Sequence, residues 1–160
     1  MSEVKKFTDL IAKLAKDVYS HLGDGFSEDI YQKALAYELR ENKIDYLRET
    51  VIELFYKNQM VGLGEIDFYF PVQKKSKFEL KKPLILETKY TTKLDSTHRA
   101  QLRQYLMSAK QNQSKLLNNL DTGFLLNWQK KADYDEKRIA PESPVESEIW
   151  VFTRQEFKKL

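Results

Sequence analysis

The sequence predicts a mixed α/β (α+β) domain, a central mixed sheet of four to five strands flanked by helices, in the order α-α-β-β-β-α-β-(β). Three observations lead there. Two stretches of helical periodicity open the chain, β-branched and aromatic runs separated by turn residues follow, and one further helical stretch lies between two short apolar runs. The 160 residues suit one domain spanning 1–160, with 41% hydrophobic and 32% charged residues and no internal repeat.

From Glu3 to His21, the positions Phe7, Leu10, Ile11, Leu14, Val18 and Leu22 recur at helical spacing, and Gly23-Asp24-Gly25 ends the segment. Ser27 is placed to cap a second helix running to about Asn42, with Ile30, Tyr31, Ala34, Leu35 and Leu39 as its buried face. Tyr46–Tyr56 and Met60–Phe70 read as an antiparallel pair joined at Lys57-Asn58-Gln59. The segment 72–83 carries five lysines and reads as a long, exposed, basic connection. Leu84-Ile85-Leu86 opens a third strand reaching about Tyr90. A helix capped by Ser96 or Thr97 then runs to about Gln111, with Leu102, Tyr105, Leu106 and Ala109 inward. Phe124-Leu125-Leu126 reads as a strand buried on both faces, 130–148 as a charged loop, and Ile149–Phe152 as an edge strand. A mixed sheet between helices buries these faces, and a parallel pairing of the third and fourth strands makes the intervening helix a right-handed crossover.

Composition narrows the chemistry. With no cysteine, disulfides, thiolate zinc sites, iron–sulfur clusters and a cysteine nucleophile are excluded. Two histidines are too few for a histidine metal cage, so a bound metal is held mainly by oxygen, which points to magnesium or manganese. No apolar run approaches the roughly 20 residues that span a bilayer, so no membrane partner is expected. The start MSEVKKFTDL lacks a signal-peptide core, and an intracellular, cytoplasmic location is expected. A net charge of +3 permits a polyanionic partner without arguing for one.

Strand alternation selects the reactive residues. In Gly64–Phe70, Ile66, Phe68 and Phe70 point one way and Asp67 the other, with Glu65 and Tyr69. In Leu84–Lys89, Ile85, Glu87 and Lys89 share a face. If the two strands are neighbours, Asp67 faces Glu87 and Lys89 across the ladder. Two carboxylates so placed suit a magnesium ion that polarises a phosphodiester, and the adjacent lysine can orient or deprotonate the attacking water. The motif alone is weak, because E-x-K occurs five times, at Glu3, Glu41, Glu79, Glu87 and Glu156. Only the copy at Glu87 directly follows a three-residue apolar run and comes after an Asp-bearing strand; exposed strand-end charge is the alternative. Gln101 and Tyr105 stand four apart on one helix face with His98, a spacing that core packing also explains. Glu28 lies in a first helical turn, where the dipole favours a carboxylate in any case.

The run His21-Leu22-Gly23-Asp24-Gly25-Phe26-Ser27-Glu28-Asp29-Ile30-Tyr31 resembles the signature of the GxxExxY family, with Gly25, Glu28 and Tyr31 at its named positions. That family belongs to the PD-(D/E)xK nuclease superfamily, near its RecB-like branch. Asp67, Glu87-Thr88-Lys89 and the Gln101/Tyr105 Q-x-x-x-Y pair follow in the family's order, over roughly Leu10 to Trp128. The resemblance implies a restriction-endonuclease-like core and a deoxyribonuclease using Mg2+ or Mn2+. It implies that Asp67 and Glu87 ligate the metal with the Thr88 carbonyl, and that Lys89 positions or activates water. Glu28 is then a further acidic ligand or water-holder, while Gln101 and Tyr105 steady the site or contact DNA. Related nucleases often pair to cut two strands, which makes a homodimer an expectation. The superfamily's proline before the first Asp is absent, Ile66 standing there, a replacement common in diverged members. The rival classes are a non-catalytic nucleic-acid-binding or partner-binding module on the same fold, and a structural subunit.

Overall fold

The computed structural model describes residues 2–130 and 145–160. Helix α1 (Ser2–Leu22) buries Phe7, Ile11, Leu14, Ala15, Val18 and Tyr19, the stripe its spacing predicts, with Leu10 and Leu22 at the margin. Helix α2 (Glu28–Glu41) buries Tyr31, Gln32, Leu35, Ala36 and Leu39. Ile30, expected inward, is 42% exposed, and Gln32 takes an inward place instead. Ser27 occupies the N-cap position, yet its side chain makes no capping hydrogen bond.

Strands β1 (Leu47–Tyr56) and β2 (Gln59–Phe70) pair antiparallel around a two-residue turn. Lys57 and Asn58 there both take left-handed φ, 45° and 66°, matching the right-handed twist of a hairpin. The lysine-rich segment is not the open connection expected. It holds a small hairpin of β3 (Gln73–Lys74) and β4 (Glu79–Leu80), because Gln73 and Leu80 are buried and Phe78 packs on Phe7. Its lysines remain exposed.

Strand β5 (Leu84–Thr91) leads to helix α3 (Ser96–Ala109) and then to β6 (Thr122–Gln129), which lies parallel to β5. The cap of α3 is Asp95, not Ser96 or Thr97. Its carboxylate accepts from the Thr97 and His98 amides, and His98 Nδ1 returns the contact to the Asp95 amide, closing a capping box. The expected loop 130–148 lies outside the described residues over 131–144, and its last part belongs to β7 (Val145–Thr153). That strand is no edge: β8 (Glu156–Lys159) pairs beyond it through a second two-residue left-handed turn at Arg154-Gln155.

The main sheet therefore has six strands in the order β1-β2-β5-β6-β7-β8, mixed because only β5 and β6 are parallel. Alternate residues feed two cores. Leu84, Leu86, Phe124, Leu126 and Trp128 pack with α1 and α2; Ile85 and Leu125 pack with Leu102, Tyr105 and Leu106 of α3. The helix-flanked mixed sheet is consistent with the restriction-endonuclease-like fold expected. No helix among the described residues is long and apolar enough to cross a membrane.

Candidate active site

The site forms where two neighbouring strands part. The β2–β5 ladder runs through Phe70↔Leu84, Tyr69↔Ile85 and Phe68↔Leu86, and stops there. The next two residues are Asp67 and Glu87, and side chains replace the ladder between them. The Thr88 N–H donates to Asp67 Oδ2 at 2.9 Å, and the Asp67 N–H donates to Glu87 Oε1 at 3.3 Å. On the other side of β2, β1 pairs Arg48 with Phe68 and Thr50 with Ile66, while the intervening Glu49 takes φ +57°. This irregularity corrects the alternation drawn from the sequence. Phe68 and Phe70 enter the α1/α2 core, but Ile66 joins Ile52 and Ile85 in the α3 core, because regular pairing breaks at Asp67.

Glu87 is only 2% exposed. Burial, then the neighbouring Asp67 charge and the hydrogen bond between the two carboxyl groups, push its pKa well above the ordinary carboxylate value, while Lys89 pulls it down. Burial beside Asp67 makes Glu87 expensive to ionise without a cation.

Lys89 leaves β5 on the α3 side. Its Nζ donates to Gln101 Oε1 at 2.9 Å, the Gln101 amide donates to the Tyr105 hydroxyl at 3.3 Å, and that hydroxyl donates to the Glu65 carbonyl at 3.4 Å. The four-residue helical spacing of Gln101 and Tyr105 thus sets up a strut from α3 to β2 that fixes the ammonium group. Gly64 makes the strut fit: a Cβ there would stand 2.7 Å from Tyr105 Cε1. His98, on the same helix face, is engaged in the α3 cap instead.

Glu28 reaches the same place from the first turn of α2. Burial raises its pKa, Asp67 raises it further, and Lys89 and the Tyr90 amide lower it. Its position depends on the preceding loop. The Tyr31 hydroxyl donates to the Gly23 carbonyl at 2.5 Å and accepts from the Phe26 amide at 3.4 Å; the Gly25 amide donates to the Tyr90 hydroxyl at 2.9 Å, which donates to Asp24. Gly25 has φ +114°, which a side chain would strain. Tyr31 is fully buried and stacks on Trp128 at 5.3 Å. Gly25 and Tyr31 are accordingly the struts of the loop that presents Glu28.

Two residues at the site escape sequence reasoning. Gln32 Nε2 donates to Thr88 Oγ1 at 2.8 Å, and Arg48 Nη2 donates to Gln32 Oε1 at 2.6 Å. Gln32 stands four residues after Glu28, the one signal that could have found it. Arg48 offers none.

Among the described residues, no group of three or more His, Cys, Asp and Glu is arranged to hold a metal ion. The donor set nonetheless fits one hard divalent cation: the Glu87 carboxyl, which burial and the Asp67 charge leave in need of positive charge, Asp67 beside it, and the Thr88 carbonyl, which leaves the strand on the same edge as its N–H. Glu28 faces the same charges, since Asp67 and Lys89 both act on its carboxyl. No curated protein and no solved structure matches the chain significantly. The model of one family, described as the PD-(D/E)XK nuclease superfamily, matches residues 5–139, most of the length. Acidic residues and a lysine gathered at a break in a mixed sheet, inside a match of that extent, assign the chain to its family: it belongs to the PD-(D/E)XK nuclease superfamily.

Proposed function

We propose that the protein is a Mg2+- or Mn2+-dependent deoxyribonuclease, of the GxxExxY kind within its superfamily, that hydrolyses DNA phosphodiesters at Asp67, Glu87 and Lys89. The observation that carries the proposal is the meeting of Asp67 and Glu87 where β2 and β5 separate, with the Lys89 ammonium held over the same face by Gln101. Asp67, Glu87 and the Thr88 carbonyl would hold the metal. When bound, the metal supplies Lewis acidity to a phosphoryl oxygen and lowers the pKa of coordinated water.

The rest is done by the chain. Lys89 donates a hydrogen bond to the attacking water and keeps it in line with the phosphorus, and its positive charge offsets the charge growing on the phosphoryl oxygens. Gln101 orients Lys89 by accepting one of its three N–H bonds, which leaves two for water and phosphate. Tyr105 holds Gln101 and is itself held by Glu65. Glu28, raised by burial and by Asp67, is poised to take a proton from water at the rim of the site.

The test incubates the purified protein with single-stranded, duplex and branched DNA, and with RNA, in Mg2+, in Mn2+ and in a chelator. Cleavage of DNA that needs the metal is expected. Asp67→Ala and Glu87→Ala abolish it, and Lys89→Met lowers kcat by about 10²–10³-fold, the usual cost of losing one preorganised donor to developing charge. A protein that cuts no nucleic acid, or whose Glu87→Ala variant cuts like the parent, refutes the proposal. Metal-independent, salt-sensitive binding without cleavage would identify a binding module instead.

A further inference from the structure

Behind Asp67 lies a buried chain of polar groups that the proposed chemistry does not itself use. The Arg48 guanidinium carries only donors, so the Gln32 atom it touches is the amide oxygen, and the Gln32 NH2 must face Thr88. With its oxygen accepting from Gln32, the Thr88 hydroxyl turns its own proton to Asp67 Oδ2, at 3.3 Å. The Thr88 amide reaches the same oxygen at 2.9 Å. Every donor in the series points one way: Arg48, Gln32, Thr88, Asp67.

The arrangement is held at a cost. The Arg48 side chain is 19% exposed, its plane lies over Phe68 at 5.1 Å, and its buried Nε–H has no hydrogen-bond partner among the described residues. A buried donor left unpaired forfeits the hydrogen bonds it made to water in the unfolded chain and is destabilising. Gln32 is 8% exposed, on a helix face otherwise filled by Tyr31, Leu35, Ala36 and Leu39. Leucine would suit the Gln32 place for packing alone. A buried Gln32 and a half-buried Arg48, which keeps an unpaired Nε–H while its Nη2 also lies 3.8 Å from Glu49 Oε1, call for a role beyond folding.

We infer that Gln32 and Arg48 are positioning residues for the nuclease centre: they fix the Thr88 hydroxyl as a donor, and through it the rotation of the Asp67 carboxylate. With Oδ2 taken by two Thr88 donors, Oδ1 is the oxygen left to turn towards a cation shared with Glu87. Arg48 acts only through Gln32, by denying the amide its flipped orientation. In that orientation the amide oxygen would accept the Thr88 proton and Asp67 would lose a donor.

The inference rests on the proposed metal site, and its test separates the two. The parent is compared with Gln32→Met, Arg48→Met and the double variant by amide exchange of Thr88 in metal-free protein, by calorimetric Mn2+ binding and by DNA cleavage. Urea unfolding of each variant corrects for global stability. In the single variants the Thr88 amide should exchange about tenfold faster than its stability-corrected parent value. Mn2+ should bind about 10–100-fold more weakly, the usual effect of losing an outer partner of a metal ligand. The kcat should fall while KM for DNA holds, and the double variant should be no worse than Gln32→Met. Parent-like Thr88 exchange and Mn2+ affinity in both single variants overturn the inference, whatever the urea midpoint does. Losses that multiply in the double variant overturn the route through Gln32. A parent that takes up no Mn2+ refutes the metal site, and Thr88 exchange then still decides the relay.

Discussion

Glu87 combines two demands that oppose each other. A carboxylate intended for a cation must sit beside another carboxylate, and a site that excludes water must bury both. Burial and Asp67 therefore raise its pKa well above the ordinary 4.5, and Glu28 moves the same way for the same reasons. In metal-free protein the consequence for stability has a definite sign. Below pH 4.5 Glu87 is protonated in folded and unfolded chains alike, and its contribution to stability is fully present. As pH rises the unfolded chain releases the proton first, so stability falls until the folded-state pKa is passed. Glu87→Gln, which cannot ionise, should match the parent most closely below pH 4.5 and exceed it increasingly as pH rises above that value, as urea unfolding in a chelator would show. A parent-to-variant difference that stays flat over this range would rule out the raised pKa. At this scale Asp67, Glu87 and Lys89 were legible from alternation, and the structure brings them together. Gln32 and Arg48 were not, because a polar residue on an apolar helix face carries no pattern until the partner that satisfies it is known.

At the scale of elements, the position of a carboxylate is the position of the strand or helix that bears it. The three helices were legible because their apolar spacing is regular over several turns, and the α2 entry was legible as a motif before its mechanics were visible. The third strand showed itself as an apolar run, but the β3–β4 hairpin did not, since five lysines mask the alternation of Gln73, Phe78 and Leu80. The last hairpin was missed because its turn, Arg154-Gln155, lacks the Asn-Gly or Gly signature on which hairpin reading depends. The contact of β2 with α3 yields a test in which one glycine serves as control for another. Gly64→Ala forces Tyr105, 5% exposed and without room to retreat, off its bonds to Gln101 and Glu65. Overpacking of this kind costs about 1–3 kcal/mol. Gly62→Ala, two residues earlier with nothing within 4 Å of its added Cβ, should leave the urea midpoint near that of the parent. Equal midpoints for the two variants would contradict the strut.

For the whole molecule, the six-stranded sheet with one core on each face makes a stiff frame, and the end of the β2–β5 ladder brings Asp67 and the buried Glu87 together. The family match covers residues 5–139, most of the chain. The fold class was legible because each layer has its own periodicity. The break was not, because it arises from strands that stop pairing, an event between segments that no single segment records. The central claim is that this break is a metal-dependent nuclease centre, and a crystal soaked in Mn2+ and measured at the manganese edge tests it most directly. One anomalous peak in contact with Asp67, Glu87 and the Thr88 carbonyl is expected, lost in Glu87→Ala. A peak elsewhere, or none at Asp67 and Glu87 in protein that still cuts DNA, would contradict it.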